Sequence, residues 1–261
     1  MGGIMTTLSD KELEEEFKQG NLIRNPNTDM LDGSSYELRL GDVYYDLTEG
    51  SKRFKLQAGQ KVLIKPGHRV VLITEEELDT PADIAVRVVS KGSLFAVGLS
   101  PVATYADPGF KGRLGIVTQN ISDKYIELPQ GEPIAKAEFS ELTSEATRLY
   151  EGQHGFQMEI WPIKTHLQKT HGEVASDPRV KPEKEEALDL LPAATAAVIR
   201  QMEATQFWTN IGLFVAIVLN ALLIFLVNEK VIEGLIGIIA SLIGTAVIAI
   251  GTQLIKHVRG A

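Results

Sequence analysis

The sequence predicts a mainly β domain opened by one helix and followed by a helical hairpin in a membrane. Three observations predict it. Between 34 and 139, short segments rich in β-branched residues are broken by Gly41, Gly50, Gly59, Pro66, Pro81, Gly92, Pro101, Pro108 and Pro129, the punctuation of an all-β barrel or sandwich. Two long runs near the C-terminus carry no charge. Between these parts lies a polar stretch without a sustained apolar period.

Taken in order, Ser9 and Glu12 stand at capping-box spacing, with Leu8 and Leu13 placed as a hydrophobic staple. A helix is therefore expected from Asp10 to about Gly20, with Leu13 and Phe17 facing the core. Candidate strands are Lys61–Ile64, Arg69–Thr74, Ala85–Val89, Leu114–Gln119 and Ile134–Phe139, and Glu75–Leu78 reads as a single helical turn. These elements define a first domain over residues 1–163. Residues 164–192, with Pro178, Pro182 and mixed charge, read as a polar linker.

Residues 193–261 form the third part: an Ala-rich juxtamembrane helix over 193–208, then uncharged runs at 211–227 and 234–255. Runs of 17 and 22 residues approach the length that crosses a hydrocarbon core. The connector with Asn228, Glu229, Lys230 and Glu233 is short, so the helices are antiparallel and both chain ends share one side. Arg200, Lys256 and Arg259 flank the outer ends against Lys230 in the turn, which orients the N-terminal domain and the C-terminus to the cytoplasm. Phe207 and Trp208 stand where an interfacial anchor belongs. Gly237, Gly244 and Gly251 recur with Ser241 on nearly the same face; a close helix contact and glycine tolerated at random both fit that spacing.

Composition excludes several classes. A net charge of −8 argues against a partner that is a nucleic acid polymer, which needs a basic stripe. With no cysteine there is no disulfide, thiolate metal site or cysteine nucleophile. No cleaved secretory signal is expected, because the start lacks an apolar stretch of the required length. His166 and His171 form no convincing metal pair, all five histidines read as non-catalytic, and no protein-ligated metal is expected.

Four stretches then carry a likeness. They are Leu8-Ser9-Asp10-Lys11 with Gly20; Ser34-Ser35-Tyr36-Glu37-Leu38-Arg39-Leu40-Gly41; Ser90 to Leu99; and Ala106-Asp107-Pro108-Gly109-Phe110-Lys111-Gly112. Gly131 to Phe139 and Tyr150-Glu151-Gly152-Gln153 complete the order. Together they resemble the dCTP deaminase family of the dUTPase superfamily over residues 8–157. The resemblance implies a distorted β-barrel of the β-clip type, a homotrimer with sites at subunit interfaces, a pyrimidine deoxynucleoside triphosphate as ligand, and Mg2+ held through its phosphates.

On that resemblance, Lys91, Gly92 and Ser93 are the phosphate-binding candidates, since backbone N–H groups, a hydroxyl and an ammonium converge at a strand end; an ordinary turn fits the same residues. Asp107 is the catalytic candidate, a carboxylate able to deprotonate water beside a triphosphate, although Asp107-Pro108-Gly109 equally makes a turn. Gln119 is placed to meet a base edge, and Gln153 either closes over nucleotide or sits in a tail. The family's deaminating glutamate is matched by Val117, its first motif serine by Gly92, a downstream arginine by Ala96 and a C-terminal lysine by Leu149. Phosphate charge then falls to Lys91 and to Arg113, Lys111 or Lys136. A side chain without a titratable proton cannot activate water, so dUTP diphosphatase-type hydrolysis is expected before deamination. A degraded nucleotide sensor coupled to the membrane hairpin is the alternative.

Overall fold

The computed structural model describes residues 6–152, 161–231, 234–244 and 246. The chain divides into two compact units, Met1–Thr165 and His166–Ala261.

The first unit is mainly β. Its strands are β1 Thr6–Thr7, β2 Leu22–Arg24, β3 Leu31–Asp32, β4 Ser35–Asp46, β5 Lys52–Lys55, β6 Lys61–Ile64, β7 Arg69–Asp79, β8 Ile84–Ser90, β9 Ala103–Ala106, β10 Lys111–Gln119, β11 Ile126–Pro129 and β12 Pro133–Glu141. Helix α1, Asp10–Lys18, begins as its sequence requires: Ser9 and Glu12 form the reciprocal capping box, and Leu13 and Phe17 are the residues it buries.

The main sheet runs β10-β7-β4-β12-β8-β9. It is curled, because β9 and β10, at opposite ends of that order, line one cleft and an isolated bridge between Leu99 and Asn120 joins the segments beside them. The concave face holds the core, which includes Leu38, Leu72, Val86, Ile116 and Phe139 together with Leu13 and Phe17 of α1. Alternation along β8 and β10 sends every second side chain into that core and the rest outward.

One local expectation is corrected. Glu75–Leu78 is not a helical turn but the continuation of β7 to Asp79. Cross-strand pairing on both sides decides it, since Leu78 pairs with Ile23 of β2 and with Gly112 of β10. The charged side chain in the middle, Glu76, is only 2% exposed. Its Oε2 accepts from the Arg39 backbone N–H and its Oε1 from Arg39 Nε, both at 2.7 Å. The Tyr36 hydroxyl also donates to Glu76, at 3.4 Å. Burial, and after it the neighbouring Glu76 charge, pushes the Tyr36 hydroxyl up to about 12, against the pull of the Asn27 N–H bond it accepts.

The second unit is helical. Within residues 164–192 the chain forms α3 His171–Val174 and α4 Glu183–Asp189, after α2 Gly92–Ala96 of the first unit. Helix α5, Ala193–Asn228, is continuous over 36 residues and is tied to α4 by Lys184 and Glu203 at 2.6 Å. It is apolar on all sides beyond Ile211 and is long and apolar enough to cross a membrane. Helix α6, Gly234–Gly244, packs back on it. The Ser241 hydroxyl donates to Asn220 Oδ1, and a Cβ at Gly237 would collide with Val227. Gly237 and Ser241 therefore face α5, whereas Gly244 has open space beside it. Gly251, Lys256 and Arg259 lie outside the described residues.

Candidate functional site

The turn after β9 is built from its sequence. Phe110 N–H donates to the Asp107 carbonyl at 3.0 Å, across Pro108 and a Gly109 with φ +84, the requirements of a type II turn. The Thr80 hydroxyl braces it by donating to the carbonyls of Asp107 and Phe110, at 2.9 and 3.0 Å. Tyr150 N–H donates to the Pro108 carbonyl at 2.8 Å, and its ring packs on Phe110 with centroids 5.3 Å apart. Tyr150 thus docks on the Asp107 turn. The Asp107 carboxylate is exposed and has no side-chain partner among the described residues.

Between β9 and β10 opens a cleft of about 430 Å³, walled by Thr104, Tyr105, Phe110, Val117, Tyr150 and Trp161 among others. Its size suits a small organic ligand. Trp161 is brought in by Gly115: a Cβ there would lie 2.6 Å from the indole ring, so glycine allows the ring to lie on the strand backbone. Trp161 N–H donates to the Tyr45 hydroxyl at 3.0 Å, and Trp161 and Ile163 cover Val43, Tyr45, Val71 and Ile73. Among the described residues, none that walls the cleft carries a carboxylate, ammonium or guanidinium.

Val117 stands on that wall, 42% exposed. Gln119 shares its strand face, but its side-chain amide donates to the Gly67 carbonyl at 3.1 Å. Lys91, at the end of β8, donates to Glu37 Oε2 at 2.6 Å with both side chains about four-fifths buried. Gly92 and Ser93 are exposed in the first turn of α2. Since Val89 pairs with Ala103 and Val86 with Ala106, Lys91 lies just before the start of β9 and Asp107 beyond its end, roughly 20 Å apart at the strand rise. One chain does not bring the two together. Gln153 lies outside the described residues.

The other candidate cations are also held. Lys111 meets Asp79 at 2.9 Å and Arg113 meets Asp42 at 3.2 Å. Lys136 pairs with Asp32; their hydrogen bond raises the Lys136 ammonium and lowers the Asp32 carboxyl relative to their usual values. Asp46, Glu49 and His68 form a group with metal-ligand spacing, yet Asp46 already accepts from the N–H groups of Thr48 and Glu49 and bonds His68 Nδ1, and Glu49 holds Lys65. Sequence reasoning passed over Trp161, whose one signal was a glycine inside a strand pattern, and Glu76, whose partner is 37 residues away.

A family model described as dCTP deaminase-like matches residues 7–142. Among curated relatives, a "dCTP deaminase, dUMP-forming" of Methanobrevibacter smithii is 26% identical, over 56% of this chain and 86% of its own length. One of Dictyoglomus thermophilum is 29% identical, over 55% and 84%. Among solved structures, the 2'-deoxycytidine 5'-triphosphate deaminase of Agrobacterium tumefaciens is 16% identical with a TM-score of 0.46, covering 52% of this chain and about half, 48%, of that one. The native EIAV dUTPase is 15% identical with a TM-score of 0.33, over 57% and 98%.

Proposed function

The chain belongs to the dCTP deaminase-like family, and on that premise we propose that its β domain binds a pyrimidine deoxynucleotide without deaminating it, while the C-terminal helices hold the domain at a membrane. One observation carries this reading: the cleft wall presents Val117 where the resemblance places the family's glutamate, and among the described residues no carboxylate lines it. Attack of water on a pyrimidine ring needs a base within hydrogen-bond reach. Aromatic walls hold a planar ring without one.

The domain boundaries in this proposal are residues 1–163 for the binding domain, 164–192 for the connection and 193–261 for the membrane part, with spans at 211–227 and 234–255 and both chain ends cytoplasmic. The apolar α5 supports a span, and Arg200, Lys256 and Arg259 at the outer ends against Lys230 in the turn support the orientation. We propose a homotrimer, for which the exposed Phe95, Val97, Tyr105 and Ile121 offer contact surface.

A second reading, dUTP diphosphatase-type hydrolysis, is favoured by Asp107, an exposed carboxylate on a braced turn and without a side-chain partner among the described residues. In that reading Asp107 would deprotonate the attacking water, and Mg2+ held through the nucleotide phosphates would supply charge neutralisation there. Titration of the full chain in detergent micelles with dCTP and dUTP in magnesium, following binding heat and pyrophosphate, separates the two. Heat without pyrophosphate supports the binding module. Pyrophosphate that disappears in Asp107→Ala, with heat retained, establishes the hydrolase.

A further inference from the structure

The cleft and the cations at the motif positions differ in a way that bears on the ligand, given the nucleotide-binding reading above. The walls are aromatic and apolar: Tyr105, Phe110, Val117, Tyr150 and Trp161, with the Thr104 hydroxyl beside them. Each cation at the positions the family motifs offer for phosphate already holds a carboxylate of this chain. Glu37, a methylene longer than the aspartate usual at its place, reaches Lys91 at 2.6 Å, and the pair is mostly buried. Arg113 holds Asp42, Lys111 holds Asp79 and Lys136 holds Asp32.

A phosphate arriving at Lys91 must displace Glu37 and leave that carboxylate partly buried and unpaired. Such a carboxylate loses about as much as the new contact gains, because both are charge-assisted hydrogen bonds to the same ammonium. The planar part of the ligand meets no such competition, as the cleft is open and the described residues that wall it are uncharged.

We infer that this cleft recognises the uncharged base-and-sugar portion of a pyrimidine nucleotide, so that affinity is set by the nucleoside and is insensitive to the number of phosphates. Glu37 is the residue that sets this specificity, acting by occupying Lys91.

The test is a titration of the full chain in detergent micelles with deoxycytidine, dCMP and dCTP, and with the deoxyuridine series, all in magnesium. Binding heat gives the affinities. Emission of Trp161 in a Trp208→Phe background reports entry to the cleft. The expected result is affinities within about threefold across each series, whereas one released cation on a phosphate is worth roughly tenfold to a hundredfold. Glu37→Gln, which frees the Lys91 ammonium, is expected to favour the triphosphate by about tenfold and to leave the nucleoside unchanged. Triphosphate binding more than about tenfold tighter than nucleoside in the wild-type chain overturns the inference and leaves nucleotide binding standing. A Glu37→Gln chain that gains nothing for triphosphate overturns the role of Glu37. Absence of heat with every compound removes the nucleotide-binding reading itself, and the inference with it.

Discussion

Two sets of ion pairs in the β domain use the same residue types to opposite ends. Around Glu76 the partners are buried: Arg39 holds both carboxylate oxygens, Tyr36 adds its hydroxyl, and the Glu76 side chain is fully covered. Along β10, Lys111–Asp79 and Arg113–Asp42 lie at the surface, with at least three-tenths of each side chain exposed. The buried set fixes β4 against β7 and so shapes the sheet. The surface set fixes little and neutralises cations that a phosphate would otherwise meet. The motif strand carrying Tyr36 and Arg39 thus does architectural work, joining β4 to β7 through Glu76.

Substitutions break this comparison most sharply at its buried end. Arg39→Leu leaves Glu76 charged and unpaired in the interior, and urea unfolding of the chain is expected to show a loss of about 3–5 kcal/mol. Lys111→Ala, at the surface end, is expected to cost no more than about 1 kcal/mol. Equal losses at the two sites would remove the distinction.

The next effect is in pH. Tyr36 titrates near 10 when unfolded and is pushed to about 12 when folded. A group whose folded value is raised contributes stability that is complete below its unfolded value and is lost as pH rises through the folded one. Thermal melts should therefore fall between pH 10 and 12, by on the order of 2–3 kcal/mol in stability. Tyr36→Phe should flatten that limb relative to the parent. A limb of the same slope in both chains would assign it to other groups.

A smaller effect is expected at the cleft. Gly115→Ala places a methyl where the Trp161 ring lies and should destabilise by about 1–3 kcal/mol, with a red shift of tryptophan emission in a Trp208→Phe background. Unchanged emission would mean that the indole does not rest on the strand.

Local signals carried part of this architecture into the sequence. The Ser9–Glu12 capping box starts α1 where it is read, because cap and partner are three residues apart. The strands at 61–64 and 134–139 follow from β-branched runs bounded by turn residues. Glu75–Leu78 was misread because three consecutive glutamates look solvated, and the arginine that allows one of them to be buried lies 37 residues upstream. The same distance problem hides the site's charge balance: Lys91 is visible as a cation, but its carboxylate is 54 residues away. Loss of the glutamate at Val117 was legible, since one motif position decides it. The Trp161 wall was not, since its partner Gly115 is 46 residues earlier and joins it only through the fold.

The central claim is that a cleft walled by Val117 and aromatic rings holds a pyrimidine without removing its amine. Ammonia release from dCTP by the full chain in magnesium tests it most directly. The account predicts none above the buffer blank under conditions where binding heat is seen. Sustained ammonia production, with dUTP or dUMP appearing in proportion, would contradict it.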